Sequence, residues 1–126
     1  MLLIKNGKVL TMAGITYEKG CVLVENGKIK EIGESIVETE NMEIIDAKGG
    51  WVMPGIIEAH CHIGIMEEDK GFEGNDTNEM TDPVTPQLRA IDAINPMDTA
   101  FNDAVEGGVT SVMTGPGSAN AVSYTH

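Results

Sequence analysis

Basic side chains are scarce in this sequence. Eight lysines and arginines stand against 20 aspartates and glutamates in 126 residues, a formal net charge of −12. A surface so biased repels other polyanions, which argues against nucleic acid and anionic membrane as partners. Cysteine is rare too: Cys21 and Cys61 are too few for the disulfide framework of a small secreted domain. No stretch approaches the roughly 18 consecutive apolar residues of a transmembrane helix. The start, Met1-Leu2-Leu3-Ile4-Lys5-Asn6-Gly7, lacks the basic region and the long apolar core of a signal peptide. Together these absences predict a soluble, cytoplasmic, reduced protein. The chain is also too short for a complete eight-stranded (β/α) barrel, which needs roughly 200 residues or more. What remains, with 41% hydrophobic and 22% charged residues, is a globular composition for one ordinary domain or two small ones.

Residues 1–53 read as β. Leu3-Ile4-Lys5 and Val9-Leu10-Thr11 flank Asn6-Gly7, and Cys21-Val22-Leu23-Val24-Glu25 and Lys28-Ile29-Lys30-Glu31-Ile32 flank Asn26-Gly27. Asn-Gly between short apolar or alternating runs signals a hairpin, because a type I′ turn needs positive φ at both central positions. The two copies reflect shared turn chemistry rather than duplication. Glu43-Ile44-Ile45-Asp46-Ala47 and Trp51-Val52-Met53 complete four to six short strands. Cys21 on its strand reads as a small core residue, not a reactive thiol.

Pro54-Gly55 punctuates the chain, and residues 54–126 follow a different pattern. Ile56-Ile57-Glu58-Ala59-His60-Cys61-His62-Ile63 is a strand candidate. Residues 66–85 are acidic and aperiodic, and a solvated loop is expected there rather than a cation site. Thr85-Pro86 predicts a helix start, with Leu88, Ile91 and Ile94 along it. Asn95-Pro96 repeats the signal for a helix to about Glu106, with Met97, Ala100, Phe101, Ala104 and Val105 on one stripe and Gly107-Gly108 as its stop. Val109-Thr110-Ser111-Val112-Met113-Thr114 predicts a second buried strand. The loop Gly115-Pro116-Gly117-Ser118-Ala119-Asn120 reads as a plain turn before an anion cradle, since it has no Walker lysine. Strand, loop, helix, strand is the order of a parallel α/β layout.

His60 and His62 carry the chemistry. Two apart on a strand, they share a face with backbones about 6.6 Å apart. Rings at that spacing can converge on one ion at metal–nitrogen distances of about 2.0–2.1 Å. Glu58 lies on the same face and could bind the ion or orient a histidine. Cys61 points the other way and is excluded as a ligand to that ion. The pair ends an apolar strand that opens into a long polar loop, where sites of parallel α/β folds gather. His126 has no motif around it and receives no role.

The stretch Met53-Pro54-Gly55-Ile56-Ile57-Glu58-Ala59-His60-Cys61-His62-Ile63-Gly64 resembles the signature of the metal-dependent amidohydrolase superfamily, Pro-Gly-x-[Ile/Leu/Phe]-[Asp/Glu]-x-His-x-His. Glu58 stands where aspartate is commoner. Residues 78–96 and Gly107-Gly108-Val109-Thr110-Ser111-Val112 are similar to a subgroup related to imidazolonepropionase. The resemblance implies a mixed β and α/β fold. Residues 1–53 would be the N-terminal part of a composite β-sandwich, and residues 54–126 the first one or two βα units of an incomplete (β/α)8, TIM-like barrel. It implies His60 and His62 as metal ligands, Glu58 as a supporting group or further ligand, and Zn²⁺ in the intact enzyme, weakly held or absent in the fragment. The substrate would be a small amide, cyclic by preference, opened by metal-activated water. The family's further ligands and its late aspartate base have no counterpart in this sequence. No catalytic residue is therefore expected in the chain, which should be inactive alone and, with unpaired strand edges, should form a homo-oligomer or else leave its second half disordered while the first keeps its hairpins. Two other readings stand beside this one: a complete, non-catalytic β-rich module binding a metal or a partner, and a nonfunctional remnant that persists by self-association.

Overall fold

The computed structural model describes residues 1–82 and 84–118. The chain divides into two compact units, Met1–Pro54 and Gly55–His126.

The first unit is one five-stranded sheet of β1 (Leu2–Leu10), β2 (Thr16–Glu25), β3 (Lys28–Gly33), β4 (Glu43–Asp46) and β5 (Trp51–Val52). β1 is its axis. It pairs antiparallel with β2 on one edge and parallel with both β4 and β5 on the other. Leu3 faces Leu23 across the β1–β2 ladder. Leu3, Cys21 and Leu23 form the buried core, with Ile36 and Met42 packed against it. Cys21 is thus the core residue that its place on an apolar strand implied.

The two Asn-Gly pairs behave differently. Asn26 and Gly27 take φ of 51° and 72° and close the β2–β3 hairpin between Glu25 and Lys28, as expected. At Asn6-Gly7 no hairpin forms. β1 runs straight through it, and the expectation of two strands there is corrected to one bulged strand. Asn6 has a φ of 58°, and the β1–β2 register slips on both sides of Gly7. The cause is the opposite edge. Gly49 donates to the Asn6 carbonyl (2.7 Å), Lys8 donates to the Gly50 carbonyl (2.9 Å), and a Cβ on Gly7 would lie 2.5 Å from Val52 Cγ2. A bulge absorbs the extra residue, and only glycine tolerates the close approach.

The second unit contains β6 (Ile56–Cys61), a 3₁₀ segment over Glu68–Gly74 broken at Gly71, α1 (Ala90–Ala93), α2 (Ala100–Glu106) and β7 (Val109–Thr114). β6 and β7 pair in parallel, the strand–helix–strand order read from the sequence. Gly55 passes so close to β7 that an added Cβ would fall 2.1 Å from Thr110 Oγ1. A barrel continuation is not among the described residues. Both helices are shorter than expected. Thr85–Leu88 forms a turn (Leu88 N–H to Thr85 carbonyl, 3.1 Å), and Arg89 is extended at φ −120°, so α1 begins only at Ala90. α2 begins at Ala100 because Asn95 and Asp98 side chains accept the Met97 and Ala100 N–H groups and hold residues 95–98 in turns. It ends at Gly107-Gly108 as expected, with Gly108 at φ 85°. β7, expected to be buried, is half-buried at Val109 and Val112 and exposed at Met113.

Candidate metal centre

β6 delivers His60, and His62 follows just past its end. Strand alternation brings both imidazoles to one side. Their ring centroids are 5.3 Å apart and the planes meet at 77°, edge to face. His62 Nδ1 lies 2.7 Å from the carbonyl oxygen of Gly115, the first residue past β7. A carbonyl only accepts, so Nδ1 carries the proton and the Nε2 lone pair is left for a ligand. Such a fixed tautomer is what a metal-binding imidazole requires.

Parallel pairing builds this contact. Gly115 N–H donates to the Cys61 carbonyl (3.2 Å), and Thr114 Oγ1 donates to the Ile63 carbonyl (2.8 Å). The chain after β7 is thereby fastened along residues 61–63. Cys61 Sγ donates to the Met113 carbonyl of β7 at 3.4 Å.

Glu58 Oε1 accepts the backbone N–H of His60 at 3.0 Å. The carboxylate is therefore bent onto its own strand. Among the described residues no group of three histidine, cysteine or acidic side chains converges as a metal site. The donor chemistry of His60 and His62 fits two positions of a tetrahedral zinc shell.

The turn after His62 rests on a buried carboxylate that sequence reasoning had not singled out. Asp98, 6% exposed, accepts N–H groups from Gly64 (3.0 Å), Ala100 (3.3 Å) and Glu68 (3.4 Å). Gly64 has a φ of 79° and sits against Phe101 and Ile94, while Asn95 N–H donates to its carbonyl at 2.8 Å. Glu67 takes hydrogen bonds from Lys70 and from the Asn95 side chain, which hold its carboxyl below the usual carboxylate range. Asn95-Pro96 signals a helix start. A helix does follow, but Asn95, together with Asp98, also clamps the segment leaving the histidine strand.

The acidic segment makes local turns. Glu79 accepts from the N–H and hydroxyl of Thr81, which lowers its pKa, and Asp82 accepts from Val84. A cavity of about 300 Å³ lies beside it, bounded by Ile65, Asp76, Asn78, Arg89 and Pro116 among others, but by neither histidine. In the Gly115–Ser118 turn the Gly115 and Gly117 amides are given to the carbonyls of Cys61 and Thr77, so they are not offered to an anion. Ala119, Asn120 and His126 lie outside the described residues. Among the described residues, no helix is long and apolar enough to cross a membrane.

No family model matches the chain. The amidohydrolase tasK of Hapsidospora irregularis is 40% identical over 113 residues, covering 86% of this chain and 11% of that protein. A 5'-deoxyadenosine deaminase of Methanosarcina acetivorans is 36% identical over 120 residues, covering 87% of this chain and 27% of that protein. In three dimensions, an amidohydrolase from Thermotoga maritima superposes with a TM-score of 0.83 at 48% identity, covering 95% of this chain and 31% of that one. Over nearly its whole length the chain is similar to amidohydrolases, and it spans less than a third of each of these three proteins.

Proposed function

We propose that the chain is a segment of a metal-dependent amidohydrolase of the subgroup related to imidazolonepropionase, one that hydrolyses a non-peptide, cyclic C–N bond. His60 and His62 would be two nitrogen ligands of a zinc ion. The observation that carries this reading is the imidazole pair at the end of β6 with His62 Nδ1 committed to the Gly115 carbonyl, so that its Nε2 is the ligating atom. A bound zinc supplies Lewis-acid polarisation of a carbonyl and activation of water for attack on it. The chain's own groups do the positioning. Gly115 fixes the His62 tautomer, Glu58 holds the His60 backbone N–H, and Asp98 anchors the turn that leaves His62. A hydrolytic zinc shell usually needs three protein ligands and an open position, so the isolated chain is expected to bind zinc weakly and to hydrolyse nothing.

The test is a chimera in which this chain replaces the matching part of the Thermotoga maritima amidohydrolase, assayed with zinc on a panel of cyclic amides. Turnover is expected, and loss of at least 10³-fold with His60→Ala or His62→Ala, on the order of the contribution of a water-activating metal. A folded chimera whose turnover survives both substitutions would overturn the reading. Turnover by the isolated chain would overturn the expectation that it is inactive.

A further inference from the structure

Gly117 lies 55 residues from His62 in sequence, yet its backbone bears on the contact that orients His62. Its N–H donates to the Thr77 carbonyl at 2.7 Å. Thr77 is itself immobilised: it is 5% exposed, and its N–H and hydroxyl both donate to Asn75 Oδ1, at 3.3 and 2.5 Å. The Asn78 side chain, which donates to Thr77 Oγ1 at 3.3 Å, occupies the space that a side chain at position 117 would enter. A Cβ at position 117 would fall 2.6 Å from both Oδ1 and Nδ2 of Asn78 and 2.9 Å from its Cγ. Ordinary contact begins at about 3.5 Å. Between Gly117 and the Gly115 carbonyl stands only Pro116, whose ring locks φ near −65°. The span is short and stiff, so a shift of Gly117 is passed to the Gly115 carbonyl. The clashing Asn78 amide is the end of a side chain, but it is braced on Thr77 Oγ1, so part of the displacement falls on Gly117, and a hydrogen bond near 2.7 Å weakens as it lengthens.

We infer that Gly117 is a positioning residue. By seating against Asn78 and the Thr77 carbonyl, it holds the Gly115 carbonyl on His62 Nδ1 and so presents Nε2 outward as the ligating nitrogen. This deepens the proposed function and rests on it for the word ligating. The tautomer itself does not depend on metal.

The experiment uses the full chain, ¹⁵N-labelled and metal-free, and reads the imidazole nitrogens of His60 and His62 by NMR, followed by zinc titration. His62 should be protonated on Nδ1 in the wild type. Gly117→Ala should shift it toward the Nε2-protonated form and weaken zinc binding about 10-fold, the lower end of what loss of an outer hydrogen-bond partner costs. Adding Asn78→Ala to Gly117→Ala makes room for the methyl group and should restore both readings, which a general loss of stability would not. Should Gly117→Ala fail to fold, Pro116→Gly loosens the same span without adding an atom and should give the same shift. A wild-type His62 protonated on Nε2, or a tautomer and affinity unchanged within twofold in both Gly117→Ala and Pro116→Gly, overturns the inference. If the wild type binds no zinc while the tautomers respond as stated, the positioning role stands, since two histidines are not a full zinc shell, and the metal reading falls only if the chimera keeps its turnover without the histidines. If zinc binds and neither variant matters, the positioning role falls and the metal reading stands.

Discussion

Replacing Asp98 with alanine should release the segment that follows the histidines without touching them. Asp98 is 6% exposed and accepts three backbone N–H groups. The Gly64 bond is the short one, at 3.0 Å and buried, and a bond to a charged acceptor contributes about 1.5–3 kcal/mol. The Ala100 and Glu68 bonds, at 3.3 and 3.4 Å, are longer and weaker. Truncation also strands the Gly64 N–H in a buried position, where an unpaired donor costs about 1–3 kcal/mol. Because that penalty overlaps with the bond lost, a combined figure of about 3 kcal/mol is appropriate for the whole substitution. At 1.4 kcal/mol per decade this raises the opening equilibrium of the Gly64 amide about 100-fold. Asp98→Asn keeps the shape and one acceptor oxygen and should cost roughly half as much.

Native-state hydrogen exchange resolves this residue by residue, which matters because the chain has two units and a single unfolding midpoint would mix them. The Gly64 and Ala100 amides should lose protection together in Asp98→Ala, while the Leu3 and Leu23 amides in the first sheet keep theirs. Gly64 protection within threefold of wild type would show that the carboxylate is not what holds the turn, and the anchoring role assigned to it would fall.

Three other outcomes follow from the same structure. Gly55→Ala places a methyl group inside Thr110, so it should destabilise the β6–β7 pair by about 1–3 kcal/mol as overpacking; exchange at β6 and β7 amides no faster than in wild type would contradict this. Glu67 has a folded-state pKa lowered from 4.5 by Lys70 and then Asn95, so its contribution is present above the unfolded value and is lost as pH falls through the lower folded value. The Asn95 side-chain amide signals should therefore move in acid, and an identical titration in Glu67→Gln would rule the contact out as the cause. Self-association is expected through the exposed flank of β6, where Ile56 is 46% and Ile57 73% exposed, since open strand edges and apolar surface pair at contact while the charge of −12 is screened beyond about 8 Å at physiological salt. Sedimentation as a monodisperse monomer at high concentration would refute it, and Ile57→Lys should weaken it.

What could be read in the sequence was local. The Asn26-Gly27 hairpin, the Gly107-Gly108 helix stop and the shared face of His60 and His62 each depend on neighbours within a few residues, through φ preferences or strand alternation. The same dipeptide at Asn6-Gly7 misled because the turn between β4 and β5 decides its conformation, through Gly49 and Gly50 more than 40 positions away. Helix starts were placed early for a related reason. Asn95 and Asp98 are good capping residues, but here their oxygens hold turns at Met97 and Ala100 and, for Asp98, the Gly64 amide 34 positions back. Gly115 could not have been picked out at all. It contributes only a backbone carbonyl, which leaves no trace in residue type, and it meets His62 across 53 positions.

That last contact depends on strand direction more than on any side chain. β6 and β7 run parallel with Cys61 opposite Thr114, so the chain leaving β7 emerges beside the histidines. In an antiparallel pair Gly115 would emerge beside Ile56, at the far end of β6 and about 15–20 Å away at 3.3 Å per residue. A parallel return requires a crossover, and here residues 62–108 supply it. The crossover is not a passive connection. Its early part gives the Thr77 carbonyl to Gly117, and its later part gives Asp98 to Gly64, so both ends of the loop brace the turn at His62. The long polar stretch between the strands buries Ile65 but leaves Phe72, Met80 and Met97 exposed, so these donors and acceptors add to a small apolar core in holding it. Substitutions in it should therefore alter the orientation of His62 before they alter the pairing of β6 with β7.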